Sequence, residues 1–245
     1  MLRVEGICKS FDRFNALCGA DLHVDSGKIV AVIGPNGAGK STMFKVITGH
    51  WKPDGGRVLF RGEPISSLSP HQICRKGISM AFQIVNIFNR MSVFENVQAA
   101  VLSHRRQAGK IFRSASKMAV GQTMEILESV GLRERAGCIA GTLSYGDQKV
   151  LEMAIALSTR PKLLILDEPT AGMSPEETAV CTGLIRRLTA ENGLTVLFCE
   201  HNIELVLSLS DEIMVMQGGK TIIQDIPEAV RQSPAVREAY LGGAP

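Results

Sequence analysis

No stretch of this 245-residue chain comes near the roughly 20 consecutive apolar residues that a membrane-crossing helix requires. The opening residues, Met1-Leu2-Arg3-Val4-Glu5, lack an apolar segment of the signal-peptide kind. A cytoplasmic protein is therefore expected, reaching a membrane only through a partner. The cysteines (Cys8, Cys18, Cys74, Cys138, Cys181, Cys199) form no Cys-x-x-Cys pair, which speaks against a metal knuckle or a disulfide frame. Several lie in apolar runs, as in Val196-Leu197-Phe198-Cys199, and read as buried free thiols. A marked excess of either charge is lacking too. Lys and Arg number 27 against 24 Asp and Glu, and the net +3 is too small to argue for nucleic acid as the main partner. The densest basic stretch, His104 to Lys117, reads as a solvated face. Internal repeats and low-complexity tracts are absent.

What is present is an ordinary globular composition, 45% hydrophobic and 21% charged, on a chain long enough for one large domain or two joined lobes. The first third reads as short strands with turns. Ile29-Val30-Ala31-Val32-Ile33 is a buried strand stopped by Gly34, a helix runs from near Lys40 to Gly49, and Pro53-Asp54-Gly55-Gly56 is a turn before the strand Val58-Leu59-Phe60. From about Ser92 to Ser158 the pattern is helical, with Met124, Leu127 and Val130 on one helix and Val150, Ala154 and Leu157 on another. Strands and helices alternate in the last third. Leu163 to Leu166 and Thr195 to Cys199 are buried strands, and Ile213 to Met216 with Thr221 to Ile223 make a hairpin about Gly218-Gly219. Ser174, Pro175 and Glu177 form a capping box before a helix whose apolar stripe is Val180, Leu184 and Leu188. Such alternation predicts an α/β fold with a mostly parallel sheet covered by helices.

Gly34-Pro35-Asn36-Gly37-Ala38-Gly39-Lys40-Ser41 fits G-x-x-x-x-G-K-[ST], preceded by a strand and followed by a helix. Glycines let the backbone wrap closely, so that its N–H groups face phosphate oxygens at a helix N-terminus. Lys40 is expected to neutralise the outer phosphates and Ser41 to ligate Mg²⁺, with Thr42 next in line. A phosphate loop needs an acidic residue at the end of a neighbouring strand, and Asp167 fits that place. Glu168 follows it as the candidate to orient or deprotonate an attacking water.

Leu143-Ser144-Tyr145-Gly146-Asp147-Gln148 makes the reading specific: it resembles the L-S-G-G-Q signature of ABC ATPases. Ser144 followed by Asp147 reads equally as a capping box, and the two readings are compatible. Gln83 matches the family's Q-loop glutamine near Mg²⁺, His201 the switch histidine on the γ-phosphate, and Phe11 the aromatic that stacks on adenine. Four segments further resemble the ATPase subunits of branched-chain (hydrophobic) amino-acid importers. They are Phe82 to Phe88, the Tyr145-containing signature, Ala171 to Glu177, and the tail Arg237 to Gly242. Importers of urea and amides share similar segments, so both solute classes stand open.

The resemblance implies one ABC ATPase domain over residues 1–245 with a P-loop (RecA-like) core. Residues 1–87 and 158–225 would hold that core and an antiparallel β subdomain, 88–157 an inserted helical subdomain, and 226–245 a helical tail. It also implies ATP and Mg²⁺, hydrolysis by Glu168, His201, Gln83 and Lys40, and metal held by Ser41, Gln83 and Asp167. Nucleotide binding would fall to Phe11, Gly34, Asn36, Gly37, Ala38, Gly39, Lys40, Ser41 and Thr42, with Ser144 and Gly146 reaching ATP on the opposite protomer. Implied partners are transmembrane permease subunits, a second ATPase subunit (an identical copy or a sister chain) and, indirectly, an external solute-binding protein. The expected place is the inner face of the cell membrane. Four positions depart from the family pattern: Tyr145, Asp147, Ser174 in place of the D-loop Asp, and Asn202 after His201. A P-loop kinase is argued against by the Ser144 signature and His201. A soluble ABC ATPase of translation or DNA repair would usually carry a second nucleotide domain or a coiled-coil insertion, and a non-catalytic scaffold would lack catalytic positions that are all present here.

Overall fold

Strands that are apolar without alternation must be covered on both faces, and this requirement organises the molecule. The computed structural model describes residues 1–81, 86–104 and 118–236. The chain opens with β1 (Leu2–Phe11), β2 (Phe14–Val24) and β3 (Ile29–Ile33), then α1 (Lys40–Ile47), β4 (Gly55–Phe60), the short β5 (Glu63–Pro64), α2 (Pro70–Lys76) and β6 (Ile78–Ala81). Helices α3 (Val93–His104), α4 (Val120–Ser129) and α5 (Tyr145–Leu157) come next. After them run β7 (Leu163–Asp167), α6 (Pro175–Asn192), β8 (Thr195–Cys199), α7 (Ile203–Leu209), β9 (Glu212–Gln217), β10 (Lys220–Asp225) and α8 (Pro227–Gln232).

The central sheet has the order β10-β9-β3-β8-β7-β6, parallel throughout except for β10, which pairs antiparallel with β9. A second sheet, β2-β1-β4-β5, is wholly antiparallel. All residues of β3, β7 and β8 are buried. Successive side chains of a strand point to opposite faces, so each strand feeds two cores. Ile29, Ala31, Leu164, Leu166, Val196 and Phe198 join a core built with α3, α5 and α6. Val30, Val32, Leu163, Ile165, Leu197 and Cys199 join another, formed with α1 and the second sheet. The α/β class and mostly parallel sheet expected from the strand–helix alternation are what the chain adopts. Among the described residues no helix is long and apolar enough to cross a membrane.

The capping box at Ser174 is formed, and Gly193 ends α6 with φ 60°. The hairpin about Gly218-Gly219 is formed as well. Gly55 and Gly56, however, belong to β4 rather than to a turn. The first strands are 10 and 11 residues long rather than short, because register shifts after Val4, Ile7 and Lys9 let pairing continue through irregular stretches. Cys181 and Cys199 are buried, as the apolar run ending at Cys199 predicts, whereas Cys8, Cys18 and Cys74 are half-buried and Cys138 is exposed. Val180 is 67% exposed. The stripe of α6 is instead Cys181, Leu184, Ile185 and Leu188, shifted by one residue round the helix.

That shift is testable by urea denaturation. Leu184→Ala should cost about 2–5 kcal/mol as a core cavity. Val180→Ala should stay within about 0.5 kcal/mol of the parent chain, the behaviour of an exposed position.

Candidate active site

Parallel strands end on the same side of their sheet, so the segments after β3, β7 and β8 meet along one edge. Strand β8 lies between the other two, and Cys199 is the register partner of both Val32 and Asp167. The loop 34–39, Asp167-Glu168 and Glu200-His201 are thereby gathered at that edge.

The loop is seated on backbone. Gly34 has φ 154° and lies so near β9 that a Cβ there would stand 2.2 Å from the Met216 carbonyl oxygen. Gly39, with φ 102°, would bring one within 2.6 Å of the Ala16 carbonyl oxygen. Ala38 is buried and accepts from the Gly219 N–H at 3.1 Å, while Asn36 and Gly37 are exposed at the loop's crest. Helix α1 starts from Gly39 with neither a side-chain cap nor an acidic residue in its first turn. The positive end of its dipole and its leading N–H groups, from Lys40 through the half-buried Ser41 and Thr42, suit an anion supplied from outside. Buried Lys40 donates through Nζ to the carbonyl oxygens of Gly34 at 2.7 Å and Pro35 at 3.2 Å, which keeps its ammonium against the loop.

Across from the loop, Ser41 Oγ donates to Asp167 Oδ1 at 3.3 Å. A hydroxyl and a carboxylate side by side are hard oxygen donors of the kind Mg²⁺ takes, so these residues fit that ion. The same Oδ1 accepts from the Cys199 thiol at 2.8 Å. Burial, and then the Asp167 charge, push that thiol well above its usual range. Glu168 is left-handed, φ 51°, a conformation that costs a non-glycine residue about 1–3 kcal/mol. Its N–H is held by the Cys199 carbonyl at 3.1 Å, and its Oε1 lies 3.0 Å from His201 Nε2. A carboxylate facing an imidazole at the rim of a phosphate loop can take up a proton from water and orient what it attacks.

The expected site residues therefore fall into two groups. Lys40, Ser41, Asp167, Glu168 and His201 are brought together. Ser144 and Gly146 make their hydrogen bonds elsewhere: Ser144 caps α5 by accepting from the Asp147 N–H at 3.2 Å, and the Gly146 N–H reaches Glu177 Oε1 at 3.3 Å. Glu177 also accepts from the Ser174 N–H at 3.0 Å; that donor first, then the Ser144 hydroxyl and the Gly146 N–H, hold its carboxyl below the usual range. The Asp147 carboxylate turns to its own cap, taking the Ser144 hydroxyl at 3.0 Å and an Arg135 guanidinium. It is thus paired rather than left as a bare charge at the helix start. Ser174 and Asn202 both cap the helices they open, which preserves the local work an Asp would do there. Phe11, 36% exposed, meets Trp51 edge-on at 4.6 Å, with Lys9 Nζ 5.5 Å from its ring. Gln83 and the tail from Arg237 lie outside the described residues.

Several contributors escaped the sequence reading. Glu200, 5% exposed, accepts at Oε1 from the Thr170 N–H (2.8 Å) and hydroxyl (2.7 Å), and at Oε2 from the His201 N–H (3.2 Å). It ties the segment after β7 to the one after β8. Its signal was a carboxylate directly after an apolar strand, overshadowed by the histidine beside it. Lys149 on α5 is buried, and burial lowers its ammonium below the usual range against the pull of Glu152, Asp167 and Glu168. Cys181 is pushed up to about 12, by burial first and then by the Glu200 charge. Glu200→Ala would strand the buried Thr170 donors, and a loss of about 1–3 kcal/mol per unsatisfied group is expected in urea denaturation.

Comparison with known proteins identifies the family. The family model described as ABC transporter matches residues 17–171. The chain is 41% identical, over 100% of its length and 98% of the relative's, to the high-affinity branched-chain amino acid transport ATP-binding protein BraF of Pseudomonas aeruginosa. It is 38% identical, with the same coverage, to the high-affinity branched-chain amino acid transport ATP-binding protein LivG of Escherichia coli. A solved nucleotide-free ATP-binding cassette from an ABC transporter superposes with a TM-score of 0.87 at 33% identity, covering 98% of each chain. On the strength of the family match and these full-length likenesses, the chain belongs to the ABC transporter ATPases.

Proposed function

We propose that this chain hydrolyses ATP to drive an importer of branched-chain amino acids. It would act at the inner face of the cell membrane as one of two ATPase subunits, identical or sister, bound to transmembrane permease subunits. An external solute-binding protein would deliver the solute, and no nucleic acid takes part. The solute class rests on the BraF and LivG likenesses. The chemistry rests on one observation: the Glu168–His201 contact of 3.0 Å stands beside the Ser41–Asp167 contact of 3.3 Å at a phosphate loop.

In this reading the backbone N–H groups of Gly37, Gly39, Lys40, Ser41 and Thr42 cradle the phosphates, with Gly34, Asn36 and Ala38 shaping the loop. Lys40 leaves the loop carbonyls to meet the outer phosphates, and Phe11 stacks on adenine. Ser41, Asp167 and Gln83 hold Mg²⁺, which supplies positive charge beside the transferring group. Glu168 orients and deprotonates the attacking water, while His201 holds the γ-phosphate. Ser144 and Gly146 act on the nucleotide of the opposite subunit.

Removing a general base typically costs about 10²–10⁴-fold in rate. Purified Glu168→Gln should lose ATP hydrolysis by that factor, keep nucleotide binding, and fail to restore leucine uptake to cells lacking this chain. An unchanged rate would sink the role of Glu168; restored urea uptake in place of leucine would move the chain to the amide importers. Trp51 is the chain's one tryptophan and touches Phe11. Its fluorescence should change when ATP is added, and Phe11→Ala should remove most of that change. A full signal from Phe11→Ala would remove Phe11 from the adenine site.

A further inference from the structure

Cys199 touches the site in two ways that no residue role assigned above uses. Its thiol donates to Asp167 Oδ1 at 2.8 Å, and its carbonyl accepts from the Glu168 N–H at 3.1 Å. The first contact is a consequence of register. Cys199 and Asp167 are partners at the ends of the parallel strands β8 and β7, so their side chains leave the sheet on the same face, toward α1. On its other flank the partner of Cys199 is Val32 of β3. The residue is fully buried, in a core shared with Val32, Phe44, Leu197 and Met214. An aliphatic residue would satisfy that packing equally well. A thiol adds a proton aimed at one carboxylate oxygen, and that oxygen also receives the Ser41 hydroxyl.

We infer that Cys199 is a positioning residue for Mg²⁺: its thiol fixes the rotation of the Asp167 carboxylate, so that the carboxylate faces the ion with a set direction. The inference rests on the reading of Asp167 as a metal-holding residue. A carboxylate on a strand end can swing about its side-chain bonds, and a donor bound at one oxygen stops that swing. Groups that orient a metal's ligands commonly change metal affinity by about 10–100-fold when removed. A thiol is a weak donor, which places the expected effect at the lower end of that range.

The test measures divalent ion binding directly, by the electron paramagnetic resonance of Mn²⁺ titrated into the full chain with a non-hydrolysable ATP analogue. Cys199→Val keeps the volume and removes the donor; Cys199→Ser keeps a donor. Expected results are a Mn²⁺ dissociation constant raised about 10-fold in Cys199→Val and returned to within about 2-fold of the parent in Cys199→Ser. Binding of the metal-free nucleotide in chelator should be the same in all three. Thermal unfolding of each variant, run alongside, identifies any loss of folding, and Cys199→Ala replaces a variant that does not fold. Mn²⁺ affinity in Cys199→Val equal to the parent overturns the inference. So does equal weakening of metal-free nucleotide binding, which would mark a general packing defect. Asp167→Asn separates the two layers. If it binds Mn²⁺ as the parent does, the metal-holding role of Asp167 fails; if it does not, while Cys199→Val does, only the inference about Cys199 fails.

Discussion

The parallel pairing of β3, β8 and β7 is the constraint on which the other features depend. A phosphate loop, a carboxylate pair and a histidine come from regions far apart in the chain, and none of them is a site by itself. Three adjacent strands running the same way deliver all three to one edge at matched heights. Those strands can be central only because they are apolar on both faces, one covered by α3, α5 and α6 and the other by α1 and the antiparallel sheet. The same sequence feature, an unbroken run such as Ile29 to Ile33, therefore secures stability and registers the chemistry.

Around that edge, strain and satisfaction are unevenly distributed. Glu168 sits in a left-handed conformation that a side chain tolerates only when its neighbours hold it, and the Cys199 carbonyl does so. Glu200 binds the segments beyond β7 and β8 into one piece, so the backbone leading to Glu168 and His201 is fixed from below. Lys149, buried on α5, lies near enough to feel the Glu152 and Asp167 carboxylates, which work against the lowering of its ammonium by burial. This layer of supports holds the segments that carry Glu168 and His201.

Much of this was legible in the sequence because it is local. The phosphate loop is defined by contiguous residues, and a capping box such as Ser174 with Glu177 closes within one turn. Strands β7 and β8 announce themselves by apolar runs. What remained hidden depended on neighbours distant in sequence. Glu200 finds Thr170, and Cys199 finds Asp167, only after parallel pairing sets the register. Val180 was misread because a single-residue rotation of α6, fixed by packing of Cys181, Ile185 and Leu188 on the sheet, decides which face is inside. The cysteines show the same limit, since Cys8 and Cys18 lie in strands whose second face is only half covered.

The bond from the Gly146 N–H to Glu177 has a bearing on how closure would be governed. In the lone chain the leading amide of α5 is not waiting empty-handed: a carboxylate of α6 already occupies it. If a phosphate docks at α5 as proposed, it would displace an incumbent of like charge, exchanging one acceptor for another instead of filling an empty amide. Under the proposed function, a triphosphate, carrying more negative charge than a diphosphate, would compete better for that amide.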